Sequence, residues 1–105
     1  MTLQFGLLVF PGVQQLDLTA PYDVFALVPD AKVHLIWKDQ SPETSATGLV
    51  LTPTMTECPA LDVLCVPGGA GINALLQDSD VLAFLRTEAA QARYVSSVCT
   101  GVEFA

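Results

Sequence analysis

Basic residues are scarce in this chain. Four Lys and Arg stand against eleven Asp and Glu, a formal net charge of −7 over 105 residues. Nucleic acids and anionic membrane surfaces are bound by clustered Lys and Arg, so neither is expected as a partner. Histidine is scarcer still: His34 is the single one, and a Cys–His catalytic dyad cannot be built without another. His34 sits mid-strand in an alternating segment and reads as structural. The cysteines Cys58, Cys65 and Cys99 form no CxxC spacing, and with His34 they give no zinc-ligand pattern. Their odd number, with no basic region or secretion signal in Met1-Thr2-Leu3-Gln4, reads as reduced thiols of a cytoplasmic protein rather than a disulfide framework. No apolar run is long enough to span a bilayer; the one at residues 5–10 is stopped by Pro11-Gly12. Neither GxxxxGK[ST] nor GxGxxG occurs, which excludes the common phosphate loops.

Apolar residues, by contrast, are plentiful. They make up 51% of the chain and charged residues 14%, a balance that builds a core rather than a disordered tract. Residues 5–10 and 61–66 are nearly continuous apolar runs, the pattern of strands buried on both faces of a parallel sheet. Residues 32–38 read as another strand, 44–52 as a small hairpin around Thr47-Gly48, and 94–98 as the last core strand. Between them, residues 13–18 read as a loop. A helix capped by Thr19, with Pro21 in its first turn, runs to Pro29-Asp30. A second helix capped by Asp78 or Ser79 runs to about Ala92, with Val81, Leu82, Leu85, Ala89 and Ala92 on its apolar face. Strands alternating with helices predict an α/β domain with a mostly parallel sheet.

In such sheets, ligands bind beyond the carboxyl ends of the strands. Three features converge there. Asp17 follows the first strand; by sequence alone it reads first as an exposed loop acid just ahead of a helix, while the flanking Leu16 and Leu18 suggest a partial burial that would suit a proton donor. Pro67-Gly68-Gly69 follows the third strand; as a turn it needs glycine, and as a site its bare backbone brings amides to a developing anion. Cys99 ends the last strand before Thr100-Gly101, where a following helix N-terminus would favour a thiolate. By spacing alone Cys99 is balanced between a reactive thiol and a packed one. Cys65, inside an apolar strand, reads as packed, and Cys58 takes no role.

Three blocks carry a family resemblance: Phe10-Pro11-Gly12-Val13-Gln14-Gln15-Leu16-Asp17-Leu18-Thr19-Ala20-Pro21, Asp62-Val63-Leu64-Cys65-Val66-Pro67-Gly68-Gly69 and Ser97-Val98-Cys99-Thr100-Gly101. Together they resemble the DJ-1/PfpI superfamily, and within it the isonitrile (isocyanide) hydratases. The resemblance implies a flavodoxin-like fold of the class I glutamine amidotransferase type, assembled as a homodimer. It implies hydration of a small-molecule isocyanide to an N-substituted formamide, with no metal and no organic cofactor. Carried over by position, Cys99 is the nucleophile, forming a thioimidate, and Asp17 manages protons beside the thiol. The Gly69 and Thr100 amides line the anion-stabilising side, the Thr100 hydroxyl positions the intermediate, and Gly68 and Ala70 contact substrate. Thr100 stands where the peptidase-like branch has histidine, which weakens a protease reading. The family domain is roughly twice this length, so residues 1–105 read as a C-terminally truncated, partial domain ending just after the nucleophile elbow. The tail Val102-Glu103-Phe104-Ala105 departs from the small, apolar elbow helix of the family. The competing readings are a DJ-1-like cysteine hydrolase or glyoxalase, a non-catalytic sensing domain, and an inactive fragment.

Overall fold

The computed structural model describes residues 2–56 and 60–97. Four strands, β1 (Leu3–Leu8), β2 (Ala31–Ile36), β5 (Val63–Val66) and β6 (Tyr94–Ser97), form one parallel sheet in the order β2-β1-β5-β6. Two short strands, β3 (Glu43–Thr44) and β4 (Val50–Leu51), pair antiparallel as a separate hairpin. Three helices complete the description: α1 (Gln15–Ala26), α2 (Ile72–Leu76) and α3 (Ser79–Gln91). With the hairpin set aside, the sheet order is that of a flavodoxin-like doubly wound fold, reversing direction between β1 and β5.

Side-chain alternation divides the sheet into two faces. Phe5, Leu7, Cys65 and Ser96 lie on one face, where the Phe5 and Phe25 rings stack with centroids 4.5 Å apart and so fix α1 against β1. Leu8, Ile36, Leu64 and Val66 lie on the other, where Val81 and Leu85 of α3 complete a buried cluster. Burial on both faces explains why β1 and β5 are unbroken apolar runs.

The structure corrects the expected start of the first helix. α1 begins at Gln15, so Asp17 lies in its first turn instead of in a loop, and Thr19 lies inside the helix. The cap residue Gln14 makes no side-chain capping bond. Its place is set by tertiary contact: the Gln14 N–H donates to the Gly68 carbonyl at 2.8 Å. The Thr19 hydroxyl donates back to the Gln15 carbonyl at 3.1 Å, which is how an interior threonine satisfies itself. α3 starts as expected, with Asp78 accepting from the Asp80 and Val81 N–H groups at 3.1 and 3.2 Å. β6 is not a core strand over its first half, because Tyr94 and Val95 are 69% and 41% exposed. Val98, expected in that strand, lies outside the described residues.

Candidate active site

The sheet reverses between β1 and β5, and the loops leaving these two strands are bonded to one another. Val13 and Gly69 form an antiparallel bridge. The Gly71 N–H donates to the Gly12 carbonyl at 3.2 Å, and the Ile72 N–H donates to the Gly69 carbonyl at 3.1 Å. The β3–β4 hairpin holds the first loop from outside: the Gly12 N–H donates to the Thr44 carbonyl at 2.9 Å, and the Ala46 N–H to the Val13 carbonyl at 2.8 Å. The approach is so close that side chains are excluded. Gly69 has φ +141°, and a Cβ there would stand 2.5 Å from the Gly12 carbonyl oxygen, with the Gln14 amide in contact too. Gly71 faces the Pro11 carbonyl at a distance no Cβ tolerates. Gly69 and Gly71 therefore serve a backbone-to-backbone junction.

That junction positions Asp17. The strap from Gly68 to Gln14 fixes the start of α1, and Asp17 stands in its first turn, where the helix dipole favours a negative group. Leu18 is buried against the core while Leu16 points to solvent. Asp17 is half-buried, and its Oδ2 is shut from solvent with no hydrogen-bond partner among the described residues. A buried acceptor without a donor costs roughly 1–3 kcal/mol, a cost typical of a group held for chemistry rather than for folding.

Cys65 lies beside this acid. It is 1% exposed and pairs in register with Ser96 of β6. Burial pushes its thiol above the ordinary range; the Ser96 hydroxyl, hydrogen-bonded to the sulfur, pulls the other way, and the Asp17 carboxylate pushes it up again. Cys65 is thus an un-ionised, packed thiol, as its place in an apolar run predicts.

Of the residues expected at the site, the structure brings together Asp17, Gly68 and Gly69. Ala70 follows them, exposed, in the turn before α2. Cys99 and Thr100 lie outside the described residues. β6 runs parallel to β5 with Val66 opposite Ser97, so the strand that precedes Cys99 in sequence heads toward the same end of the sheet as the Gly68-Gly69 turn. The interlocked backbone of residues 11–14 and 68–71 was not foreseen as a unit. Its only sequence signal is the pair of glycine punctuations, Pro11-Gly12 and Gly68-Gly69-Ala70-Gly71, after two apolar strands.

Among the described residues, no group of His, Cys, Asp and Glu is arranged to hold a metal ion, and no helix is long and apolar enough to cross a membrane. A cleft lies on the α3 face, lined by Leu8, Ile36, Trp37, Lys38, Val81 and Phe84 among others. It includes none of the candidate residues, so the site is defined by the strand-end junction and not by this cleft.

Comparison with known proteins agrees with this fold. The chain is 64% identical over 103 residues to the isonitrile hydratase of Pseudomonas putida, an alignment covering 96% of this chain and 45% of that protein. It is 34% identical over 101 residues to an uncharacterized protein in the cpoL 5' region of Streptomyces lividans, covering 90% of this chain and 71% of that one. In structure it matches a THiJ/PfpI family protein from Pseudomonas syringae with a TM-score of 0.93 at 39% identity, over 97% of this chain and 44% of the other. The chain therefore spans less than half the length of both Pseudomonas relatives. Residues 5–104 match the DJ-1/PfpI family, and the chain belongs to that family.

Proposed function

We propose that this chain carries the nucleophile-bearing half of an isonitrile hydratase site, with Cys99 as nucleophile and Asp17 as its proton-handling partner. The observation that carries the reading is the buried Oδ2 of Asp17, without a hydrogen-bond partner among the described residues, at the sheet's reversal point, in a chain 64% identical to a protein named for this reaction.

The chemistry follows from the groups. An isocyanide, R–N≡C, is electrophilic and proton-accepting at its terminal carbon. The Cys99 thiolate forms a C–S bond to that carbon while a proton is delivered to it, giving the thioimidate R–N=CH–S–Cys99. Water adds to the same carbon, the C–S bond breaks, the thiol is restored, and R–NH–CHO leaves. The net change is the addition of one water, with no oxidant or reductant. Splitting the reaction at a covalent intermediate replaces one difficult addition by two easier ones. Asp17 accepts the thiol proton and returns it to carbon. In this reading the Gly69 and Thr100 amides face the charge that develops on nitrogen, the Thr100 hydroxyl orients the adduct, and Gly68 and Ala70 border the substrate.

The test is turnover of an alkyl isocyanide, followed as formamide formation, by the chain and by Cys99→Ala. The account expects formamide from the wild type and background rates from the variant. A folded wild-type chain that produces none contradicts it as a stand-alone enzyme, and turnover surviving in Cys99→Ala contradicts the mechanism.

A further inference from the structure

Ser45 is a buried polar residue in a hairpin that is otherwise open to solvent. It is 5% exposed, while every position from 46 to 50 is exposed, Leu49 and Val50 by 47% and 57%. β3 and β4 pair over two residues each, Glu43 with Leu51 and Thr44 with Val50, and so short a hairpin is not stable by itself. Ser45 closes its turn. The Leu49 N–H donates to Ser45 Oγ at 3.0 Å, the Ser45 N–H donates to the Leu49 carbonyl at 2.8 Å, and the Gly48 N–H donates to the Ser45 carbonyl at 3.1 Å. Thr47 Oγ1 lies 3.4 Å from the same hydroxyl. The buried hydroxyl is thus satisfied, and it holds the two sides of the turn together.

The closed hairpin has a second side. Ser45 turns its amide toward Leu49, whereas its neighbours Thr44 and Ala46 turn backbone groups toward the loop after β1. There the Thr44 carbonyl accepts from the Gly12 N–H at 2.9 Å, and the Ala46 N–H donates to the Val13 carbonyl at 2.8 Å. Residues 12–13 thereby join one hydrogen-bonded layer with the hairpin, and Val13 also bridges to Gly69. One residue later the Gln14 N–H reaches the Gly68 carbonyl at 2.8 Å, and the Asp17 N–H donates to the Gln14 carbonyl at 3.0 Å. Bonds therefore run in sequence from the Ser45 hydroxyl through the hairpin and the loop to the backbone of Asp17 and of Gly69.

We propose that Ser45 is a positioning residue for the candidate site. Its hydroxyl fixes the hairpin turn, the hairpin holds residues 12–14, and those residues set the first turn of α1 against the Gly68-Gly69 turn. Ser45 acts through this backbone and not on substrate. Its effect on turnover rests on Asp17 being the proton-handling group; its effect on the placement of Asp17 does not.

The experiment compares the full chain with Ser45→Ala and with the pair Ser45→Thr and Ser45→Val, which match in shape and differ in the hydroxyl. Three quantities are read: amide exchange residue by residue, the carbon-13 resonance of the Asp17 carboxyl at neutral pH, and kcat and KM for an alkyl isocyanide. Near-ultraviolet circular dichroism verifies folding. In Ser45→Ala and Ser45→Val the Gly12, Gln14 and Ala46 amides are expected to exchange about tenfold faster, as a local opening does, and the Asp17 resonance to move. In the same variants kcat is expected to fall roughly 10- to 100-fold, the scale on which a small misplacement of a catalytic group acts, with KM unchanged. Ser45→Thr is expected to restore all three. Equal losses in Ser45→Thr and Ser45→Val overturn the proposal, because space and not the hydroxyl then matters. So do an unmoved Asp17 resonance in folded Ser45→Ala, exchange that quickens equally throughout β1 and β5, and a Ser45→Ala chain that does not fold, since the hydroxyl then supports the whole fold. If the wild type forms no formamide, a moved Asp17 resonance that Ser45→Thr restores supports the positioning and counts against the proposed function. Wild-type turnover that Ser45→Ala leaves intact overturns the positioning and leaves the function standing.

Discussion

Gly69 and Asp17 show how much of the site is bought by single residues. Gly69 combines a φ of +141° with contacts to Gly12, Val13 and Gln14 that leave no room for a Cβ. Gly69→Ala is therefore expected to destabilise the fold by about 1–3 kcal/mol from backbone strain alone, measured as a lower urea midpoint. Asp17 behaves in the opposite sense. Its Oδ2 is buried without a partner among the described residues, so Asp17→Asn is expected to leave the urea midpoint unchanged or raise it, while lowering isocyanide turnover by roughly 10²–10⁴-fold as the proton-handling group is lost. A variant that unfolds, or one that keeps full activity, contradicts that assignment. The thiols separate in the same way. Burial and the nearby Asp17 carboxylate hold Cys65 above the usual thiol range, and the thiolate is the reactive form. Cys65 is expected to resist iodoacetamide in the native chain at neutral pH and to react once the chain is unfolded, as read by peptide mass mapping.

At the scale of elements, Asp78 joins two parts of the fold. Its carboxylate caps α3 and pairs with Lys38, just beyond β2. The Lys38 hydrogen bond, then the Val81 and Asp80 amides, pull the Asp78 carboxyl below the ordinary aspartate range, and the same bond pushes Lys38 up. For Asp78, a folded-state value below the unfolded one means stability that is present above the ordinary aspartate range and lost as the pH falls through the folded-state value. For Lys38, the stability is present below its ordinary value and lost as the pH rises through the raised one. Asp78→Asn is thus expected to flatten the acid limb of thermal stability against pH; an unchanged limb contradicts the linkage. What was legible in the sequence follows the same physics. β1 and β5 were readable because burial on both faces forces unbroken apolar runs, and α3 because Asp78 caps it with its own side chain. The start of α1 was not readable, because it is set by a backbone bond from Gln14 to Gly68 across the molecule. α2 has five residues and no side-chain cap, too little to register as a pattern. β6 looked like core because Tyr94 and Val95 favour strands, but propensity does not reveal what covers them.

For the molecule as a whole, the sheet order and the interlocked loops after β1 and β5 place a candidate acid and a glycine-lined backbone at one end of a flavodoxin-like sheet. The approach of Asp17 to Gly68-Gly69 was inferable from sequence only through the rule that ligands gather at strand ends; the hydrogen bonds that lock the two loops required the structure. Cys58, Cys65 and Cys99 also allow the proposed chemistry to be assigned to one atom. The most direct measurement is acid-quenched mass mapping of the chain during turnover of an alkyl isocyanide. The account predicts a peptide containing Cys99 that gains the mass of one isocyanide, with Cys58 and Cys65 unmodified and the adduct absent in Cys99→Ala. Formamide production without an adduct on Cys99, or an adduct carried by Cys65 instead, would contradict it.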